Sequence, residues 1–302
     1  MIRVEQLPVE RLDEWLDVRN RVEPDDPLEL DLVRARRRRN PTHVDLLAWL
    51  DGAPAGVGVY ARMLEDPVSP IGRVNFRVLR EYRRCGVGTE LHRAVSDLGR
   101  ARGDEELEGQ IVAPGPEAKA YLDHRGYRAV LRMIESRFDL TSPLPSGGSR
   151  QTCRIVSAAE QPQVLEAAYA VALEAEPDAP DSRPWVRPAS FADWRAREID
   201  DTTFLAEVSL VAFVDGEPAA YGLVARDRAG VGAHVSTGVA RAHRGHGLAT
   251  ALKRAQIERA RAAGLRELRT WNEEGNEPIR HVNAKLGYRI VCEVVTYRGP
   301  LL

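Results

Sequence analysis

Apolar residues recur at helical spacing over Pro8 to Asn20 and again over Gln161 to Leu173. Each stretch follows a short run that predicts a strand, Ile2-Arg3-Val4 or Arg154-Ile155-Val156. Strands are also predicted at Val44 to Leu50 and Ala55 to Ala61, separated by Asp51-Gly52, and at Val208 to Val214 and Ala219 to Ala225, separated by Asp215-Gly216. Asp-Gly between apolar runs marks a tight hairpin, because the central residues of that turn take positive φ. A further strand, Val74 to Leu79 or Val235 to Ala240, enters a glycine-bearing loop. Beyond the loop, Val87, Leu91, Ala94, Val95 and Leu98 have helical spacing, as do Leu248, Ala251, Leu252 and Ala255. Gly103 and Gly264 stand where left-handed caps would end those helices. A strand, a helix ending near Gly126 or Gly287 and a final pair of strands complete each series. The pattern is α/β, with a sheet that combines hairpin strands and a crossover.

The two series form an internal repeat. Arg83 to Leu91 aligns with Arg244 to Leu252 at an offset of 161 residues, which also carries Gly103 onto Gly264, Gly126 onto Gly287, Tyr127 onto Tyr288 and Arg128 onto Arg289. Asp51-Gly52 matches Asp215-Gly216 at an offset of 164, and Glu23-Pro24-Asp25 matches Glu176-Pro177-Asp178 at 153. The second copy therefore carries an insertion between those last two points, as loops of a shared fold do. A stretch rich in Pro, Gly and Ser, residues 141–151, reads as a linker, so domains of 1–140 and 152–302 are expected.

Length and composition suit that reading: 302 residues are enough for two cores, and 43% hydrophobic with 29% charged residues are ordinary for a soluble globular chain. The longest apolar run, Val208 to Val214, is far too short for a membrane span, and Met1 to Glu5 has no apolar signal core, so a cytoplasmic protein with no membrane partner is expected. Cys85, Cys153 and Cys292 are an odd set at wide spacing, which suits neither disulfides nor a metal site. The balance of 43 basic and 45 acidic residues gives net −2, so no nucleic-acid partner is expected. Only Lys119, Lys253 and Lys285 are lysines, an arginine bias that points to a GC-rich, bacterial genome.

A strand running through Arg-x-x-Gly-x-Gly/Ala directly into a helix makes an anion nest, because glycine lets the backbone approach a ligand and the first-turn N–H groups point at it. A pyrophosphate is the natural guest. Gly86-Val87-Gly88-Thr89-Glu90-Leu91 lacks the third glycine of a dinucleotide fingerprint, and no Gly-Lys-Ser/Thr follows as in a Walker loop.

In these loops the chain resembles the GCN5-related N-acetyltransferases (GNAT), whose motif Arg/Gln-x-x-Gly-x-Gly/Ala stands here as Arg83 to Gly88 and Arg244 to Ala249. The family's later signature, an Asn-bearing turn and a helix ending in Leu-Gly-Phe/Tyr, is similar to Asn276-Glu277-Pro278-Ile279 through Asn283-Ala284-Lys285-Leu286-Gly287-Tyr288, whereas the first copy keeps only Arg125-Gly126-Tyr127. The resemblance implies two tandem domains, each a mixed, mostly antiparallel sheet flanked by helices. It also implies acetyl transfer from acetyl-CoA, without a metal, to the primary amine of a small molecule. The cofactor would meet Val239 and Arg241 through backbone groups, the loop Arg244, Gly245, His246, Gly247, Leu248, Ala249 and Thr250, and Asn276. In the first copy the corresponding residues are Arg83, Arg84, Gly86, Val87, Gly88 and Thr89. A covalent tandem would replace the pairing that single-domain relatives achieve by dimerising, which is compatible with a monomer.

The copies differ where chemistry is expected. Asn272, Asn276 and Asn283 align with Ile111, Gly115 and Leu122, so the second domain is expected to be catalytic and the first a degenerate copy that still holds CoA. Many relatives carry a tyrosine acid at the position of Asn283 and Leu122; neither residue can serve as that acid. His234 is the first choice of base, since imidazole titrates near neutrality, with Glu273 and Glu274 as alternatives and a structural histidine as the competing reading. Trp185, Phe191 and Trp194 line the acceptor pocket or fill core; Asp181-Ser182-Arg183 with Glu198, Asp200 and Asp201 attract a cation or form a surface loop. The run Arg34 and Arg36 to Arg39 reads as a solvated helix end, and Cys85 as a loop filler. Two other functions compete: a transfer like that of the mycothiol synthases, which keep Leu-Tyr where Val282-Asn283 stands, and a non-catalytic acyl-CoA-binding regulator.

Overall fold

Both Asp-Gly turns form: Asp51 and Gly52 have φ of 50° and 84°, and Asp215 and Gly216 have 51° and 89°. Gly103 and Gly264 take the left-handed conformation at the ends of their helices, at 79° and 75°. The computed structural model describes residues 1–63, 68–145, 152–179, 187–199 and 203–302. They form two units, one of Met1–Leu131 with Val294–Leu302 and one of Arg132–Glu293.

Along the first repeat the elements are β1 (Ile2–Gln6), α1 (Leu12–Val22), α2 (Leu30–Arg39), β2 (Val44–Leu50), β3 (Ala53–Arg62), β4 (Ile71–Val78), α3 (Val87–Ala101), β5 (Glu106–Val112), α4 (Pro116–Asp123) and β6 (Arg128–Asp139). The second has β7 (Arg154–Ser157), α5 (Val164–Ala175), α6 (Phe191–Glu198), β8 (Leu210–Val214), β9 (Glu217–Arg228), β10 (Val231–Val239), α7 (Leu248–Ala262), β11 (Glu267–Glu273), α8 (Glu277–Leu286) and β12 (Arg289–Pro300). The first helix starts later than its apolar spacing predicts, because Val9–Arg11 form a 3-10 turn ahead of it. Thr141–Pro145 of the expected linker are described; 146–151 lie outside the described residues.

In the first unit β1, β2, β3 and β4 pair antiparallel in sequence order, and β4 pairs parallel to β5. Helix α3 lays Val87, Leu91 and Val95 on one face of this sheet, while α1 lays Leu12, Trp15 and Val18 on Leu47 and Val57 of the other. Each such side chain stabilises by about 1.5–3 kcal/mol when fully buried. The second unit repeats the plan with β7 to β10 antiparallel and β10 parallel to β11. There α7 covers one face through Leu248 and Leu252, and α5 packs Ala168 and Val171 with Trp194 of α6.

The last strand of each unit comes from the opposite repeat. Val294–Pro300 of β12 pair antiparallel with Val112–Glu106 of β5, and Met133–Asp139 of β6 pair with Glu273–Glu267 of β11. The units thus differ from the linear repeat 1–140 and 152–302 by one exchanged strand each. Equivalent positions satisfy the exposed edges of β5 and β11 with the same backbone hydrogen bonds, so exchange of a repeated element costs little.

Candidate functional site

Each parallel pair is short. β4 and β5 are in register only from Ile71–Glu106 to Arg73–Glu108, and β10 and β11 only from Val231–Glu267 to Ala233–Arg269. Beyond these points the strands part, and in the second unit a bulge between His234 and Ser236 accompanies the divergence. A bulge locally disrupts a ladder and increases twist.

At the head of the opening lies the glycine loop. After the 3-10 turns Arg80–Tyr82 and Arg241–His243, Gly86 and Gly247 take φ of 88° and 86° and start α3 and α7 without a side-chain cap. The first-turn N–H groups of Val87 and Gly88, or of Leu248, Ala249 and Thr250, therefore point out of the helix toward the loop, while the Thr89 N–H donates to the Gly86 carbonyl at 3.0 Å. Val87 and Leu248 bury their side chains, leaving their backbones for this role. Gly245 is left-handed at 79°, and its counterpart Arg84 keeps that conformation at 63° despite its side chain. Arg83 and Arg244 each donate through Nε to the last carbonyl of their strand, on Val78 at 3.3 Å and Val239 at 3.0 Å. Both loops are nests that fit a diphosphate.

In the first unit this opening is a cleft of about 1050 Å³, lined by Phe76, Gly88, Gln110, Tyr121, Arg125 and Tyr127 among others. The Tyr121 hydroxyl donates to the carbonyl of Gly88 at 3.2 Å, and the Arg125 guanidinium lies 3.8 Å over the Tyr121 ring. Tyr121 precedes Leu122, the residue aligned with Asn283, so a search at that one position overlooks it. Beneath, His92 is stacked on Phe76 and contacts Tyr127.

In the second unit the positions of Ile111 and Leu122, which line the first cleft, are Asn272 and Asn283. Asn283 is buried and donates through Nδ2 to Oδ1 of Asn272 at 2.8 Å, and its own Oδ1 has no hydrogen-bond partner. Asn276 precedes α8 and makes no side-chain cap. Glu274 is exposed just beyond β11. His234, expected as the base, is buried, and Nε2 is in contact with the Tyr288 hydroxyl at 2.7 Å. Burial, with Lys253 nearby, holds its imidazole well below the usual range. Its burial and its contact with Tyr288 favour a structural role for this histidine.

Arg241 and Arg244 share the carboxylate of Asp178, and those two guanidinium groups hold it well below the usual carboxylate range. Asp178 carries no local signal of a role at the loop, because only the fold brings it there. Trp194 and Phe191 resolve as core, Trp194 being fully buried against Tyr169, Phe191 and Tyr221. Trp185, Asp181, Ser182, Arg183, Asp200 and Asp201 lie outside the described residues. Among the described residues no group of His, Cys, Asp and Glu could hold a metal ion, and no helix is long and apolar enough to cross a membrane.

The family model "Acetyltransferase (GNAT) family" matches residues 9–127 and again 167–288. No curated protein matches the chain. Among solved structures, a GCN5-related N-acetyltransferase from Sphaerobacter thermophilus has 18% identity and a TM-score of 0.78, over 99% of this chain and 96% of its own. A tandem GNAT protein from the clavulanic acid biosynthesis pathway has 21% identity and a TM-score of 0.77, over 100% and 99%. A glucosamine N-acetyltransferase region of a fungal multi-domain β-N-acetylglucosaminidase has 16% identity and a TM-score of 0.75, over 98% of this chain and 38% of that one. At such identities the likeness is one of fold.

Proposed function

The chain belongs to the acetyltransferase (GNAT) family, and from that premise we propose that its second unit transfers an acetyl group from acetyl-CoA to the primary amine of a small molecule. The observation that carries this reading is the Asn272–Asn283 pair at positions that are apolar in the first unit. A buried amide oxygen without a partner is costly unless a ligand donates to it. Asn283 Oδ1 accepts an N–H of the incoming amine and turns its lone pair toward the acyl carbon. Backbone N–H groups along the open edge of β10 stabilise the oxyanion. The exposed Glu274 takes up the proton of the attacking amine through water, while His234 stays in the core against Tyr288. The loop Arg244 to Thr250 holds the diphosphate and Val239, Arg241 and Asn276 the arm; collapse of the oxyanion breaks the C–S bond of the thioester, and CoA leaves as its thiolate. Arg83, Arg84 and Gly86 to Thr89 give the first unit a second CoA site, supported by its cleft.

A second reading, an acyl-CoA-binding regulator without transfer, is favoured by the burial of His234 and the lack of a tyrosine at position 283. The deciding experiment follows release of free thiol from acetyl-CoA with diamines, amino sugars and amino-acid amides. Turnover that survives Gly86→Glu and is lost with Gly247→Glu supports the second unit as the catalyst. The reverse pattern overturns it, and acetyl-CoA binding without turnover on any amine favours the regulator.

A further inference from the structure

The Arg241 and Arg244 guanidinium groups and the Arg241 N–H, beside the first-turn N–H groups of the second loop, are already engaged by carboxylates of the same unit. Asp178 closes the 3-10 turn Glu176–Asp178 after α5. Its Oδ2 accepts from Arg241 Nε at 2.7 Å and Oδ1 from Arg241 Nη2 at 2.8 Å, while Arg244 Nη1 lies 2.8 Å from Oδ2. The backbone N–H of Arg241 donates to Glu174 of α5. One carboxylate thus bridges two guanidinium groups, and a second takes the main-chain donor between the strand and the loop. Carboxylate and phosphate oxygens suit the same guanidinium fork, so these acids and a diphosphate compete for one set of donors.

Among the described residues the first unit has no such arrangement. Arg80 and Arg83 replace Arg241 and Arg244, and among the described residues the carboxylate on Arg83 is Glu117, at 3.8 Å. At the position of Glu174 the repeat has Arg21, which faces Asp17 and Glu81. Asp25 keeps the acid at the position of Asp178, but among the described residues it forms no ion pair with Arg80 or Arg83, so the repeat keeps the loop and the acid and changes the contact between them.

We propose that Asp178, aided by Glu174, is a built-in competitor that occupies Arg241 and Arg244 and lowers the affinity of the second loop for CoA, so that the two loops of one chain load unequally. This rests on the reading that the second loop receives CoA. Entry of the diphosphate displaces a carboxylate from the two arginines, and no covalent step is involved.

The test is a calorimetric titration of acetyl-CoA into the Gly86→Glu chain, in which the second loop alone reports, with Asp178 intact and with Asp178→Asn. Asparagine keeps the size and removes the charge. Because an exposed ion pair contributes little, Asp178→Asn is expected to tighten binding by no more than roughly fivefold. Glu174→Gln, which leaves the arginine pair intact, is expected to tighten it by a smaller factor, and inorganic pyrophosphate is expected to show the same order. Unchanged or weaker binding in Asp178→Asn overturns the inference, because the carboxylate then merely orients the arginines. If that binding is still lost on adding Gly247→Glu, the assignment of CoA to the second loop survives. Absence of acetyl-CoA binding in every Gly86→Glu chain overturns both.

Discussion

The Tyr288 hydroxyl lies 2.7 Å from Nε2 of His234 in the core of the second unit. The first unit builds this pair from different elements. Tyr127 takes the place of Tyr288 and lies 2.9 Å from Nε2 of His92, which stands on α3 where α7 has Lys253, while β4 has Arg73 where β10 has His234. Lys253 is buried with Nζ 5.3 Å from the centre of the Tyr288 ring and no hydrogen-bond partner.

Stability should therefore depend on pH in two windows. Burial, and secondarily Arg125, lowers the His92 imidazole from 6.5 to about 4, and His234 is lowered too. The unfolded chain binds these protons first, so the stability is fully present above 6.5 and is lost as pH falls through about 4. Chemical unfolding at neutral and mildly acid pH checks this, and the His92→Gln, His234→Gln double variant should flatten the fall.

Lys253 acts in the alkaline window. Burial lowers its ammonium from 10.5 to about 7, so stability is fully present above 10.5 and is lost as pH falls through about 7. Lys253→Met should raise the melting temperature near neutrality and remove the alkaline rise; an unchanged pH profile would count against a neutral buried amine.

Replacing Asn272 and Asn283 together by Ile and Leu, the pair found in the first unit, should leave the chain folded, because both members of the hydrogen bond are removed at once. Acetyl transfer should fall by about 10²-fold, the scale of losing a group that acts on the reacting centre. Steady-state kinetics beside a circular dichroism melt separates that loss from unfolding.

Trp194 is fully buried beside Phe191, so Trp194→Ala should cost about 3–5 kcal/mol in a denaturant titration. A residue lining an acceptor pocket would change the KM for the amine and leave stability nearly intact.

Arg84 holds φ at 63°, where its counterpart is Gly245. Arg84→Gly should stabilise the first unit by about 1 kcal/mol through relief of that strain, readable as a higher denaturant midpoint. If acetyl-CoA binding there weakens at the same time, the Arg84 side chain contributes to the anion site.

Sequence by itself determined the repeat, the Asp-Gly hairpins, the two glycine loops and the family. Each rests on local rules: positive φ at a turn favours Gly or Asp, apolar spacing sets the buried face of a helix, and a motif keeps its chemistry wherever it is carried. It also located Asn272 and Asn283 as the polar difference between the copies. Only the tertiary structure decided that His234 is buried, that Trp194 is core, that Asp178 faces Arg244 from 66 positions away along the chain, and that β6 and β12 complete the opposite units. Those facts depend on which distant segments meet. A strand edge accepts any partner that satisfies its hydrogen bonds, and a histidine's reach depends on what packs over it, so neither is written in the local pattern of residues.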